Sequence, residues 1–313
     1  MSNPSPIAVA VFANRLDFWF TKLCVASIRF YYPTVDIYLI KDKLNGDFDT
    51  GILSRRFNIH LLDLGTNYYG WSAAKIHFAA HGRLPAGRYL TMDSDIIFAG
   101  KVLDKLQANP AEFIAQAEHY VEPFPPSIVR DYFDPAVVKK KYGDYEYPGF
   151  FFNAGQLVVT SGVLSEDDFD GFFDFDNYPY YKDRIVFPTV DQSILNYVLP
   201  KVAKKRAVRL SGGDFMLWSV NFFENPAADS VETIESGDGL PYLIHYAGDT
   251  RTYKIEEMKG SRMLGFFREY YYSRLTASER KRSDRQDRWF ARKQYSKLIY
   301  KKNRLLMKLF NLK

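Results

Sequence analysis

Short runs of small and branched apolar residues alternate with helix-length stretches through the first hundred positions, and this alternation limits what the chain can fold into. "IAVAVFA" (7–13) is followed by a helical stretch to about Tyr32 that Pro33 ends, then "VDIYLI" (35–40), "FNIHLLDL" (57–64) and "RYLTM" (88–92). A helix, "WSAAKIHFAAHG" (71–82), with a glycine stop, precedes the last of these runs. Strands separated by helices predict an α/β layer with a mostly parallel sheet, whose ligands gather at the carboxyl ends of the strands. "RYLTM" runs at that end straight into Asp93 and Asp95.

Further along, "FFNAGQLVVT" (151–160) reads as a strand, "FPTVDQSILNYVL" (187–199) as a loop feeding a helix, and "PYLIHYAG" (241–248) as a late strand ending in a turn. Residues 117–149 mix Pro, Tyr and charge with no clean period and predict a long irregular connection of the kind that carries function. No internal repeat appears. A lone cysteine, Cys24, can form neither an internal disulfide nor a cysteine-based metal site, which fits a reducing cytosol. Neither a basic n-region nor a run of ~20 apolar residues is present, so the expectation is no signal peptide and no membrane span.

Two acids one residue apart in an apolar run need an explanation. On an extended backbone residues i and i+2 point the same way, so Asp93 and Asp95 could present their carboxylates together. Flanked by Leu90, Met92, Ile96 and Ile97, they cannot both be cheaply ionised without a cation or a paired base. Mg²⁺ and Mn²⁺, hard ions suited to carboxylate and phosphate oxygen, would supply that charge.

Five segments in order, "AKIHFAA" (74–80), "YLTMDSDIIF" (89–98), "FFNAGQLVV" (151–159), "DQSILN" (191–196) and "HYAGDTR" (245–251), give the chain a family likeness. It resembles the retaining, Asp-x-Asp-containing glycosyltransferases of the GT-A fold, the group that includes glycogenin and the lipopolysaccharide galactosyl- and glucosyltransferases. The likeness extends from about Ile7 to Tyr253. It implies a Rossmann-like mixed sheet flanked by helices, with a catalytic domain over 1–254 and a C-terminal helical region over 255–313. It also implies that Asp93, Asp95 and His245 bind Mn²⁺ (Mg²⁺ being the alternative), which bridges the phosphates of a UDP-sugar donor.

The same resemblance gives other residues roles. Phe12, Ala13 and Asn14 would hold the nucleotide, and Lys75 the donor phosphate or sugar hydroxyls. Ser94 joins the donor-binding set. Asn153, Ala154 and Gly155 would line the sugar, and Asp191 and Gln192 would stand at the anomeric carbon as the catalytic pair. Gly248 and Arg251 would meet the diphosphate. Arginine replaces the family's usual lysine there, and Lys254 is a second candidate for that contact. The tyrosine common after the Asn14 position is absent. The remaining histidines, His60, His77, His81 and His119, read as structural.

Charge is unevenly spread. The net +5 arises from a tail, residues 279–313, with 13 basic and 3 acidic residues, which leaves 29 basic and 34 acidic residues, net −5, in 1–278. At 100° per residue Lys297, Lys301, Arg304 and Lys308 fall within about 60° of one another, apart from a separate apolar arc that includes Leu298, Leu305 and Leu309 and that Lys302 interrupts. This pattern predicts attachment to an anionic membrane surface through 279–313, on the cytoplasmic face, with a helix packed on the catalytic domain as the alternative, and not nucleic-acid binding. The tail and the aromatic-rich segments 117–149 and 172–187 suggest a glycan or glycolipid acceptor, in surface polysaccharide or lipopolysaccharide synthesis. The alternatives are a non-catalytic sugar-nucleotide or glycan-binding protein on the same fold and a metal-dependent nucleotidyltransferase.

Overall fold

The computed structural model describes residues 6–289, apart from 66–69, 82–83, 144, 179, 224–229, 237–241 and 248–254. Strands β1 (Ile7–Ala13), β2 (Ile37–Lys41), β3 (Ile59–Leu61) and β4 (Arg88–Asp93) are parallel, in the order β3-β2-β1-β4. Parallel neighbours need crossovers. They are supplied by α1 (Phe18–Tyr31), α2 (Gly51–Phe57) and α3 (Trp71–Ala80). Phe57 belongs to α2 rather than to the third strand, because Asn58 takes a left-handed φ of 46° that stops the helix and starts β3 at Ile59.

After a turn at residues 94–95 come β5 (Ile96–Phe98), α4 (Val102–Ala108) and β6 (Phe113–Glu118). The stretch expected to be irregular carries two short helices, α5 (Pro126–Asp131) and α6 (Pro135–Tyr142), each with proline in its first turn, where no N–H partner is lost. Strand β7 (Phe151–Thr160) lies antiparallel between β4 and β6. Helix α7 (Asp191–Arg206) covers it, and β8 (Leu210–Gly213) completes a seven-stranded mixed sheet. The chain continues through β9 (Met216–Trp218), α8 (Ser219–Phe222), α9 (Val231–Ser236), β10 (Leu243–His245) and α10 (Ser261–Ser273). A second sheet, ordered β5-β10-β9, joins the acid-bearing turn to the far end of the chain.

Alternation along β1 assigns Val9, Val11 and Ala13 to one apolar cluster and Ala10 and Phe12 to the other, so the main sheet separates two cores. Helix α10 joins the first of these by packing on α1, with Phe30 set edge-on to Phe266, Phe267 and Tyr270. A last helical segment, 277–289, docks through a polar stripe at i, i+4 and i+8. Glu279 pairs with Arg56, while Ser283 and Asp287 accept from the buried Lys22. The amphipathic stretch expected from Lys297 onward lies outside the described residues. Among the described residues no helix is long and apolar enough to cross a membrane.

Candidate active site at the carboxyl ends of β1 and β4

Strand β1 has β2 on one side and β4 on the other, so the sheet order reverses there and opens a crevice at the carboxyl ends. Phe12 is paired with Asp93 across it. The crevice, about 410 Å³, is lined from β1 by Phe12 and Asn14, and from the β4–β5 turn by Asp93, Ser94 and Asp95. Asp93 ends β4, but Asp95 already lies in the turn, so the two acids do not share one extended strand as the sequence suggested. Their carboxylates converge by another route. Antiparallel pairing sets His245 against Ile96, and the Tyr246 N–H donates to the Asp95 carbonyl at 3.0 Å. One ligand atom each from Asp93, Asp95 and His245 therefore lies within 4.8 Å of the others, with His245 Nε2 3.4 Å from Asp95 Oδ1.

Lys75 answers the question of how these acids are tolerated. It projects from α3, is 4% exposed, and sets Nζ 2.7 Å from Asp93 Oδ1 and 3.4 Å from Asp191 Oδ2, while donating to the Ala154 carbonyl at 3.0 Å. Burial opposes its charge, but Asp93 and Asp191 outweigh burial and raise its pKa above the ordinary lysine value. Burial also raises both carboxyls. It lifts Asp93 to about 6 against the pull of Lys75, and Asp191 moves upward for the same reason. Lys75 pairs with Asp93 and Asp191, and Asp95 adds a third carboxylate, which leaves negative charge for a cation to neutralise. Two carboxylates and an imidazole form a donor set that fits Mn²⁺ or Mg²⁺.

The opposite wall is a bulge in β7. Its ladder with β6 runs from Val158 to Leu157, then resumes at Phe152 with a shifted register, so Asn153–Gly155 leave the β6 pairing. Asn153 Oδ1 accepts from the Gly155 N–H at 2.7 Å, and Asn153 Nδ2 donates to Gln192 Oε1 at 2.9 Å. Gln192 Oε1 also accepts from the Ala154 N–H at 3.3 Å, and its Nε2 donates to the Asp131 carbonyl at 2.7 Å. The amide of Gln192 is thus fixed at both ends. Val190, just before α7, holds φ at 45°, a strained conformation for a β-branched residue worth roughly 1–3 kcal/mol of the kind that accumulates at functional sites.

Gly155 is required by space. A Cβ there would stand 2.5 Å from both Asn153 Oδ1 and His245 Cε1, and 3.1 Å from Asp93 Oδ2. Gly155→Ala is accordingly expected to displace the imidazole and Asn153 together, lowering stability by about 1–3 kcal/mol. A urea titration of the variant checks this effect.

Asn14 follows β1, caps the short turn Arg15–Asp17 by accepting from the Leu16 N–H, and donates to Asp42. Ala13 is wholly buried in the β1 core. Gly248, Arg251 and Lys254 lie outside the described residues. Sequence reasoning overlooked Asp17, Thr189 and Ala247, which also line the crevice, and the Asp131 carbonyl that holds Gln192. It also missed Asp42, whose buried carboxylate fixes Asn14 from just beyond β2. An acid beyond a strand is a common enough pattern that no local motif singles Asp42 out. Of the other histidines, His77 is enclosed edge-on by Phe173, Phe175 and Tyr180, and burial lowers its pKa to about 4.

No family model matches the sequence, and no curated protein matches it. Solved structures do. The chain is similar to the bifunctional glycosyltransferase WbbM, with a TM-score of 0.54 at 14% identity over 90% of this chain and 52% of WbbM. It thus spans about half the length of that protein. It is also similar to the galactosyltransferase LgtC, solved in complex with donor and acceptor sugar analogues, with a TM-score of 0.52 at 14% identity over 87% of this chain and 97% of LgtC. The mixed sheet, its order and these neighbours agree on one architecture: the chain has the GT-A fold of the LgtC-type glycosyltransferases.

Proposed function

We propose that this chain is a retaining glycosyltransferase that moves a sugar from a UDP-sugar to a glycan or lipid-linked acceptor, in surface polysaccharide or lipopolysaccharide synthesis. The observation that carries this reading is the meeting of Asp93, Asp95 and His245 in a crevice that Lys75, Asp191 and Gln192 also line. Asp93, Asp95 and His245 would hold the ion, Mn²⁺ in the first instance, and the ion's chemistry is to neutralise charge on a departing diphosphate. Phe12 and Asn14 would receive the nucleotide, and Gly248 and Arg251 would meet its diphosphate. Lys75, fixed between Asp93 and Asp191, holds both carboxylates in place. Asp191 is then the acceptor for hydrogen bonds from sugar hydroxyls.

Gln192 decides the stereochemical proposal. An amide is a poor nucleophile, and this one is tied to Asn153, Ala154 and the Asp131 carbonyl. Gln192 lines the crevice, and its carbonyl dipole would offset positive charge developing on the sugar ring. That favours delivery of the acceptor on the face the diphosphate leaves, with the leaving phosphate taking the acceptor's proton and the configuration retained. The fold of the solved neighbours supports transfer chemistry on this scaffold.

The outward face of 277–289 exposes Arg280, Lys281, Arg282, Arg285, Arg288 and Trp289. That combination supports attachment through 279–313 to anionic lipid at the cytoplasmic face of a membrane. The decisive assay is a panel of UDP-sugars tested for hydrolysis with and without Mn²⁺. One sugar turned over only with the ion is expected. Tight binding across the panel with no turnover would instead identify a binding protein.

A further inference from the structure

We infer that Trp218 is a positioning residue that holds the His245 imidazole in its ligating orientation. The inference rests on the proposed metal site. A histidine that binds a metal through one ring nitrogen is ordinarily aimed by a hydrogen bond from the other to a carbonyl or carboxylate. His245 has its Nε2 toward Asp95, and its Nδ1 is buried with no hydrogen-bond partner among the described residues. Among the described residues the usual orienting bond is absent, and packing aims the ring.

The packing is specific. Strand β9 runs parallel to β10 with Trp218 in register with His245, and the two rings stack with centroids 4.8 Å apart and planes 19° from parallel. Beyond the imidazole edge, the missing side chain of Gly155 leaves just enough room, since a Cβ would meet His245 Cε1 at 2.5 Å. A broad face on one side and a close backbone at the edge leave the imidazole one plane to occupy. Neither contact needs the ion, so the ligand is set before an ion arrives and little conformational freedom is lost on binding. Trp218 touches no reacting atom and acts through His245.

The test uses the full chain as wild type, Trp218→Phe, Trp218→Leu and Asp95→Asn, each titrated with Mn²⁺ while free ion is read by electron paramagnetic resonance. Indole fluorescence is recorded in parallel. Phenylalanine keeps a flat face and is expected to bind Mn²⁺ within about twofold of wild type. Leucine fills space without a face and is expected to bind about 10–100-fold more weakly, with its metal-free melting temperature within a few degrees of wild type. Paramagnetic quenching of indole emission is expected in wild type and strongly reduced in Trp218→Phe. Equal Mn²⁺ affinity in Trp218→Leu and wild type would overturn the inference, as would a leucine variant whose weaker binding is matched by phenylalanine. Wild type that takes up no more Mn²⁺ than Asp95→Asn would overturn the metal site itself, a result distinguishable from either.

Discussion

Asp95→Ala is expected to lose Mn²⁺ binding and to lower sugar transfer at least about 1,000-fold, with no loss of metal-free stability. The three parts of this result have separate causes. Deleting the carboxylate removes one of the three proposed ligands, but the backbone carbonyl of Asp95, which holds Tyr246 and the β5–β10 pairing, remains. The fold keeps its register. In the metal-free protein Asp95 also acts on Asp93, helping to raise its carboxyl to about 6, so removing that like charge relieves repulsion. Melting temperature without Mn²⁺ should stay level or rise, and the rise that Mn²⁺ produces in wild type should vanish. Calorimetric scans with and without the ion, beside a transfer assay, measure all three.

Lys75→Met should act in the opposite sense. Lys75 is the cation that Asp93 and Asp191 share, and all three groups are buried or nearly so. Removing one partner of a buried ion pair typically costs about 3–5 kcal/mol because the other charge is left without compensation. Asp191, already shifted upward by burial and restrained chiefly by Lys75, would hold its proton to higher pH in the variant. Unfolded carboxyls ionise in their ordinary range near pH 4, so between there and the raised native value the folded variant binds more protons than the unfolded chain. Its stability therefore falls as pH rises, and the deficit against wild type should be larger at pH 8 than at pH 5. Urea unfolding at the two pH values tests this, and an equal deficit at both would remove Lys75 from the role of counter-charge.

How much of this was legible in the sequence depends on the range of the interaction. The parallel strands were readable because each is a short apolar run with its own stop, and β7 coincides with its expected span. The boundary of β3 was missed because a left-handed Asn58 looks like any polar residue inside an apolar run. Helices α5 and α6 were hidden because six to eight residues give too little period to detect.

At the site, Asp93, Asp95, Lys75 and His245 were recognisable as residues, yet the reason they meet was not. Extended geometry was the wrong account of Asp95, which a turn and pairing with β10 bring round. The paired base foreseen as one way to tolerate the acids proves to be Lys75, reaching from a helix that precedes them. Trp218 left no mark in the sequence, since its stacking depends on strand register between β9 and β10.

The most direct test is a crystal of the full chain grown with Mn²⁺ and UDP, with diffraction recorded at a wavelength where manganese scatters anomalously. A single strong peak bounded by Asp93, Asp95 and the His245 imidazole is expected, with diphosphate oxygens beside it. A peak elsewhere, or UDP bound with Lys75 still closed on Asp93 and no ion beside it, would contradict this assignment.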